Sequence, residues 1–192
     1  LSKKLLKLAF LLLITFCLVI TSQLHGQNTS FGLKGGINLA TIGGDADFVS
    51  TKVGIHIGAF SQIEALDKLV FQPELVYSAQ GASLEGDGKA KYNYLNVPLI
   101  LKFYPSQQGF HIHAGPQLGL LLSAELSEGG VDLDVKEQLN ELDFALGVGV
   151  GYDINNIVLD ARYNLGLNST TDVDDGFTYP NRTFQLSFGY KF

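Results

Sequence analysis

One pattern governs the chain from position 31 to its end: short runs in which apolar residues alternate with polar or small ones. In the closing stretch FQLSFGYKF, Phe184, Leu186, Phe188, Tyr190 and Phe192 point one way in an extended chain, while Gln185, Ser187, Gly189 and Lys191 point the other. A period of two marks a strand with two unlike faces. The same alternation predicts strands over 31–42, 53–64, 69–80, 92–104, 109–124, 141–153, 157–167 and 181–192, eight runs divided by turn residues. No helical period of similar strength competes with it. The 126–142 segment has room for a helical turn, but Gly129-Gly130 opposes a long one.

The gaps between runs carry a second signal. GGDADFVSTK, GASLEGDGKAK, LSEGGVDLDVKEQLN and NSTTDVDDGFTYP are long, and they alternate with the short connections ALDK, PSQQ and DINN. A soluble sandwich has no reason for this rhythm, whereas a membrane barrel has short periplasmic turns and longer outside loops. An even strand count then places both termini on the periplasmic side.

Alternation alone does not say which face is outside, and a soluble barrel would turn its apolar face inward. Three features favour the opposite arrangement. Gly36, Gly54, Gly58, Gly115, Gly119, Gly147, Gly149, Gly151 and Gly189 all share the polar face, where small residues suit the crowded interior of a narrow barrel. Aromatic residues collect near strand ends (Phe31, Tyr77, Tyr92, Tyr94, Phe103, Tyr104, Phe110, Tyr152, Phe192), as interfacial girdles do. The runs are also long enough, when tilted, to cross a bilayer. The expected fold is all-β: an eight-stranded antiparallel up-and-down transmembrane β-barrel over 28–192, following a cleaved N-terminal signal peptide over 1–27. In that leader, Lys3, Lys4 and Lys7 precede an apolar run from Leu8 to Ile20, which is too short for a membrane anchor.

Cys17, the only cysteine, falls in the leader, so the mature chain offers no disulfide, thiol nucleophile or cysteine metal site. The net charge of −6 becomes −9 without the three leader lysines, which excludes an extended nucleic-acid surface.

The inward polar set is the most informative candidate site. Lys34, Glu74, Lys102, Asp160, Arg162 and Lys191 come from different runs and should meet in a lumen nearly filled by side chains. Charges there need partners, because an unpaired buried charge costs several kcal/mol. The expectation is a structural, salt-bridged plug, with Arg162 pairing to Glu74 or Asp160; a gated ion path is the lesser alternative. His111 and His113 share the inward face at a spacing that suits two metal ligands, with His56 or Glu74 as a possible third. Satisfied lumen histidines are the simpler reading, so no metal and no cofactor is assigned. Ser78, Ser123 and Ser187 lack a nucleophile elbow or a Ser–His–acid context, so no catalytic residue is assigned either.

The outside loops are acidic, with Glu125, Glu128, Asp132, Asp134, Glu137 and Glu141 against Lys136 in one, and Asp172, Asp174 and Asp175 in another. DVDDG hints at calcium without a full ligand ladder, so a solvated face is expected, with divalent bridging to lipopolysaccharide as the minor alternative. Asn28, Asn168 and Asn181 open N-x-S/T triplets that mean little in a bacterial envelope protein.

The phrases FGLKGGINLA, LVFQPELVYSAQGA, YNYLNVPLILKFY, FHIHAGPQLGLLLSA, DFALGVGVGYD, LDARYNLGL and TFQLSFGYKF together resemble the PorT-like outer-membrane beta-barrel domain of Gram-negative bacteria, across essentially the whole mature chain. The resemblance implies the eight-stranded fold and the location. Its named member implies an accessory role in a secretion system that exports C-terminally tagged cargo, a role that a shared fold does not transfer. Phe192 resembles the terminal signature read by the outer-membrane assembly machinery. The expected function is a non-catalytic structural or binding barrel, with the secretion or assembly accessory as alternative and a small pore as the weaker one. Expected partners are the lipid bilayer and lipopolysaccharide, the assembly machinery through the last strand, and other envelope proteins.

Overall fold

The structure, a computed structural model, describes residues 29–43, 49–84, 88–106, 108–129, 131–170 and 179–192. The leader with Cys17, Asn28, and Asp172, Asp174 and Asp175 of the last long connection lie outside the described residues.

The strands are β1 (Thr29–Ile42), β2 (Val49–Leu66), β3 (Leu69–Leu84), β4 (Lys89–Phe103), β5 (Phe110–Glu128), β6 (Val131–Asp134), β7 (Leu142–Ile154), β8 (Ile157–Ser169) and β9 (Pro180–Lys191). Eight of them close into one antiparallel barrel, with neighbours running β1-β2-β3-β4-β5-β7-β8-β9 and β9 returning to β1. The ninth, β6, pairs only with the far end of β5, Glu125–Asp134 to Glu128–Val131. Closure leaves no edge in the barrel wall, which a bilayer demands because it offers backbone groups no water. The last residues complete the seam: Phe192 N donates to Phe31 O at 3.0 Å and Lys191 N to Asn156 O at 2.7 Å.

Local chemistry explains the connections. β7 and β8 are joined through Asn155-Asn156, and Asn155 takes the left-handed conformation (φ 53°) that a two-residue hairpin turn needs and asparagine tolerates. After β5, residues 131–134 pair back onto its end as β6 and a short 3-10 turn follows, Lys136–Gln138, in the region read as able to hold one helical turn. β2 and β5, at 18 and 19 residues, are much longer than the roughly ten residues that cross a bilayer, so they project at the end with the long connections.

Burial decides which face is outside. Val53, Ile55 and Ile57 are 63–67% exposed, while Lys102, Arg162 and Glu74 are 0%, 1% and 4% exposed. That inversion of the usual distribution is stable only where the surroundings are apolar. Inside, several bulky polar residues stand beside a glycine on a neighbouring strand: Lys34 beside Gly58 and Gly189, His56 beside Gly36, His113 and Arg162 flanking Gly149, His111 and Asp160 flanking Gly151. The inner glycines are space for the neighbours' side chains.

Two expectations need correction. Tyr92 and Tyr94 are 7% and 2% exposed and face inward, and Tyr104 turns its hydroxyl to Asp153, so these three are not girdle residues. The parity of Tyr92 and Tyr94 within β4 matches that of Lys102, and position near a strand end does not override it. Val97, in the outward series of β4, is also covered, at 3% exposure.

Gly151→Val should prevent folding, because a Cβ there would lie 2.5 Å from His111 Nε2 and 2.6 Å from Leu159 O. Gly35→Ala should be tolerated, its nearest neighbour being His56 O at 3.5 Å. Heat-modifiable migration of detergent-folded protein checks both.

Candidate functional site

Glu74, on β3, is the centre of the lumen network. Arg162 of β8 holds its carboxylate with both ends of the guanidinium, Nη2 to Oε1 at 2.7 Å and Nη1 to Oε2 at 3.1 Å. Lys34 of β1 donates to Oε2 at 3.1 Å, and Gln72 donates to Oε1 at 2.6 Å while accepting from Gln62 at 2.8 Å. Three strands from different parts of the barrel are thereby clasped through one carboxylate. Such charge-assisted, bidentate bonds are the strong kind, and they are what makes burial of these ions tolerable.

Lys102 and Lys191 belong to a second group nearer the short turns. Both face Asp153, Lys191 Nζ donating to Oδ2 at 2.9 Å and Lys102 Nζ standing 3.8 Å from Oδ1. Tyr104 also donates to Asp153 Oδ2, at 3.2 Å. The sequence reading did not single out Asp153, although it continues the inward parity of Asp143 along β7. Asp160 lies between the two groups, 3.7 Å from Arg162 Nε and 3.4 Å from His113 Nε2. A cavity of about 930 Å³, lined by Gln62, Tyr104, Asp153, Asn156, Lys191 and Phe192 among others, opens this end.

Toward the long connections the lumen becomes a neutral hydrogen-bonded layer. His56 bridges Asn38 Oδ1 and Ser187 Oγ, each at 2.8 Å. Asn38 Oδ1 also accepts from Gln185 at 2.9 Å, and Asn38 Nδ2 donates to Ser78 Oγ at 2.9 Å. Because Asn38 Oδ1 can only accept, His56 carries its proton on Nδ1 and accepts from the Ser187 hydroxyl. Ser187, His56 and Asn38 thus have the order and distances of a hydrolytic relay, which sequence spacing could not reveal across positions 38, 56 and 187. All three are buried, at 8%, 2% and 0% exposure. The groove of about 600 Å³ that touches Ser187 is lined by Ile37, Leu186 and Phe188 on the outer face, whereas its Oγ points inward. Proximity to a substrate carbonyl, which acyl transfer needs, is not provided. Ser123 Oγ accepts from Asn93 at 2.9 Å, with no histidine in that contact.

An apolar layer seals the end with the long connections. Ala90, Tyr92, Tyr94, Leu121 and Ala124 pack together, and Ile42, Leu126, Val135 and Leu139 pack against them. Val135 and Leu139 arrive on the segment after β6, held by Val135 N donating to Ala124 O at 3.1 Å. The acidic residues of this connection help fold it. Asp132 accepts from Ser127, and that bond together with Lys91 at 3.5 Å holds its carboxyl below the usual carboxylate range. Asp134 Oδ1 accepts from Lys136 N at 2.9 Å.

The histidine pair is not satisfied in the way the sequence suggested. Each ring engages one nitrogen, His111 Nδ1 lying 3.5 Å from both Gly109 O and Asp153 Oδ1 and His113 Nε2 accepting from Arg162 Nε at 3.3 Å, while His111 Nε2 and His113 Nδ1 have no hydrogen-bond partner; the carboxylate that groups with both rings is Asp160, not Glu74.

Arg162→Met should destabilise the folded barrel by about 3–5 kcal/mol, the usual cost of stranding one member of a buried pair, measured by urea unfolding in detergent micelles. The double variant Arg162→Met with Glu74→Gln should recover only part of that loss, because Lys34 then loses its carboxylate partner. A fluorophosphonate probe should leave Ser187 unlabelled in folded protein; labelling abolished by Ser187→Ala would show that the relay is reachable.

The geometry matches known barrels. Residues 22–172 match the model of the family described as "Outer membrane protein beta-barrel domain". No curated protein matches the chain. Among solved structures, the chain is similar to Neisserial surface protein A, with a TM-score of 0.55 and 19% identity over 85% of this chain and 97% of that one. It is similar to Ail, the attachment invasion locus protein of Yersinia pestis, with a TM-score of 0.55 and 18% identity over 86% of this chain and 99% of that one. At these identities the likeness speaks to the fold, and the family match adds the setting: this chain belongs to the outer membrane protein beta-barrel domain family.

Proposed function

We propose that this integral outer-membrane barrel has a closed lumen and a structural or binding role carried by its long-connection end, without catalysis. The observation that carries the reading is the two-part obstruction of the lumen: the Glu74–Arg162–Lys34 clasp in the wall-to-wall polar core, and the apolar seal of Tyr92, Tyr94 and Leu121 above it. Eight strands leave an interior that side chains can fill, and among the described residues they do so largely with paired charges, which opposes a continuous path for water or ions. The projecting strands and the β5–β6 hairpin, with Val131 and Leu133 exposed beside Asp132 and Asp134, supply a surface for recognition.

In this reading the short turns and both termini face the periplasm, the outer band meets the lipid bilayer and lipopolysaccharide, and Phe192, 70% exposed at the end of the seam, is read by the assembly machinery. Catalysis is disfavoured because the nearest thing to a catalytic relay is walled in. The PorT-like accessory reading is favoured by one feature, the open cavity at the short-turn end with Leu66 exposed on its rim, where a periplasmic partner could dock.

Planar-bilayer recordings of purified protein should show no stable conductance steps; reproducible steps would replace this reading with the small pore. The mass of the native protein extracted from outer membranes in mild detergent separates the remaining two. A particle of barrel size supports the stand-alone role, and a large reproducible assembly supports the accessory one.

A further inference from the structure

The two inward histidines of β5 reach across β7 toward β8. In register, His111 and Asp160 flank Gly151, and His113 flanks Gly149. The rings occupy the space those glycines leave, since a Cβ at 151 would lie 2.5 Å from His111 Nε2 and one at 149 would lie 2.5 Å from His113 Nε2. The Nε2 edges of both imidazoles therefore lie over the small residues on the side of Asp160, while His111 Nδ1 turns the other way, 3.5 Å from Asp153 Oδ1. One ligand atom from each of His111, His113 and Asp160 falls within 4.8 Å of the others.

These residues are 0%, 4% and 6% exposed. Buried polar atoms ordinarily have partners, yet His111 Nε2, His113 Nδ1, Asp160 Oδ1 and Asp160 Oδ2 have no hydrogen bond. Asp160 differs from its neighbours in having neither oxygen bonded, whereas Asp153 lacks a hydrogen bond only at Oδ1. Glu74 is held by Arg162, Lys34 and Gln72, and Asp153 by Lys191 and Tyr104. The cation closest to Asp160, Arg162 at 3.7 Å, has its paired nitrogens committed to Glu74.

We propose that His111, His113 and Asp160 bind a divalent first-row transition ion of the zinc, cobalt or nickel kind inside the barrel. Two imidazoles and one carboxylate are the donor set these borderline ions favour over magnesium or calcium. The 3.4 Å between His113 Nε2 and Asp160 Oδ2 is close to the edge of a tetrahedron about such an ion, roughly 3.3 Å for bonds of about 2.0 Å. Binding needs His111 to close in by a rotation of its ring, and it replaces the long 3.3 Å bond from Arg162 Nε to His113 Nε2 while leaving both bonds to Glu74. The route in is the cavity at the short-turn end, because His111 stacks against Tyr104, 5.0 Å between ring centroids, and Tyr104 lines that cavity. The opposing charge is Lys102, directly across from His113 on β4, whose ammonium makes no hydrogen bond and stands 3.8 Å from Asp153 Oδ1. Its charge weakens the site, so the ion binds reversibly.

The test is a titration of tag-free, chelator-stripped, detergent-folded protein with cobalt(II) alone. One ion per barrel, visible ligand-field absorption, displacement by zinc and indifference to magnesium and calcium are expected. His111→Gln and Asp160→Asn should each weaken binding about tenfold or more, since even outer-shell partners cost that much, whereas Lys102→Met should tighten it. Lack of a stoichiometric cobalt spectrum in the wild-type protein overturns the site, as does binding that survives both ligand substitutions or depends on His56. If the variants do not fold, X-ray absorption of the wild-type cobalt complex decides: two imidazoles in the shell support the assignment, and fewer reject it. Conductance does not enter this test, so the closed-lumen reading stands or falls separately.

Discussion

A carboxylate in the middle of a membrane barrel has nowhere to put its charge except on its neighbours, and the architecture is organised around that fact at Glu74. Arg162, Lys34 and Gln72 give it four hydrogen bonds from three strands. Arg162 and Lys34 must lean across from other strands, so the strands beside them can spare no side-chain volume. Gly58 and Gly189 beside Lys34, and Gly149 beside Arg162, are the other half of the same arrangement. Charge pairing fixes the register, and the glycines make that register sterically possible.

The lumen is graded along its axis. Ions paired through Asp153 lie at the short-turn end, ions paired through Glu74 further in, then a neutral layer around Asn38, His56 and Ser187, then aromatic and aliphatic residues under the long connections. The gradient moves from a wet mouth to a dry seal. Desolvation explains its direction: charges nearest the open cavity keep some access to water, and those further in need complete partner sets. Asp160 and the two histidines depart from this rule, as do Asp143 and Lys102, and the imidazole pair beside Asp160 is where the donor set matches a ligand.

The Ser187–His56–Asn38 arrangement illustrates how little a hydrogen-bonded triad says by itself. Polar residues forced into a small lumen must satisfy one another, and a serine, a histidine and an amide do so in the same geometry that hydrolases use. What separates structure from catalysis here is access, and Ser187 Oγ faces packed side chains.

Much of this was legible in the sequence because alternation is a local property. Eight runs, their two faces, the long and short gaps, the inward glycines and the charged inward set all follow from period-two parity, which the backbone fixes residue by residue. The same parity already placed Tyr92 and Tyr94 with Lys102, and Asp153 with Asp143; position near a strand end was the weaker guide. What only the tertiary structure decided is which inward residues meet. In a sheared barrel, residues at one height come from strands offset along the sequence, so that Lys34, Glu74 and Arg162 converge while Lys102 and Lys191 join Asp153, and Asp160 rather than His56 or Glu74 faces the histidines. The folding of the connection after β5 into a hairpin that lays Val135 and Leu139 over the lumen was likewise beyond reach, because its pattern is short and the core it packs against is assembled by strands distant in sequence.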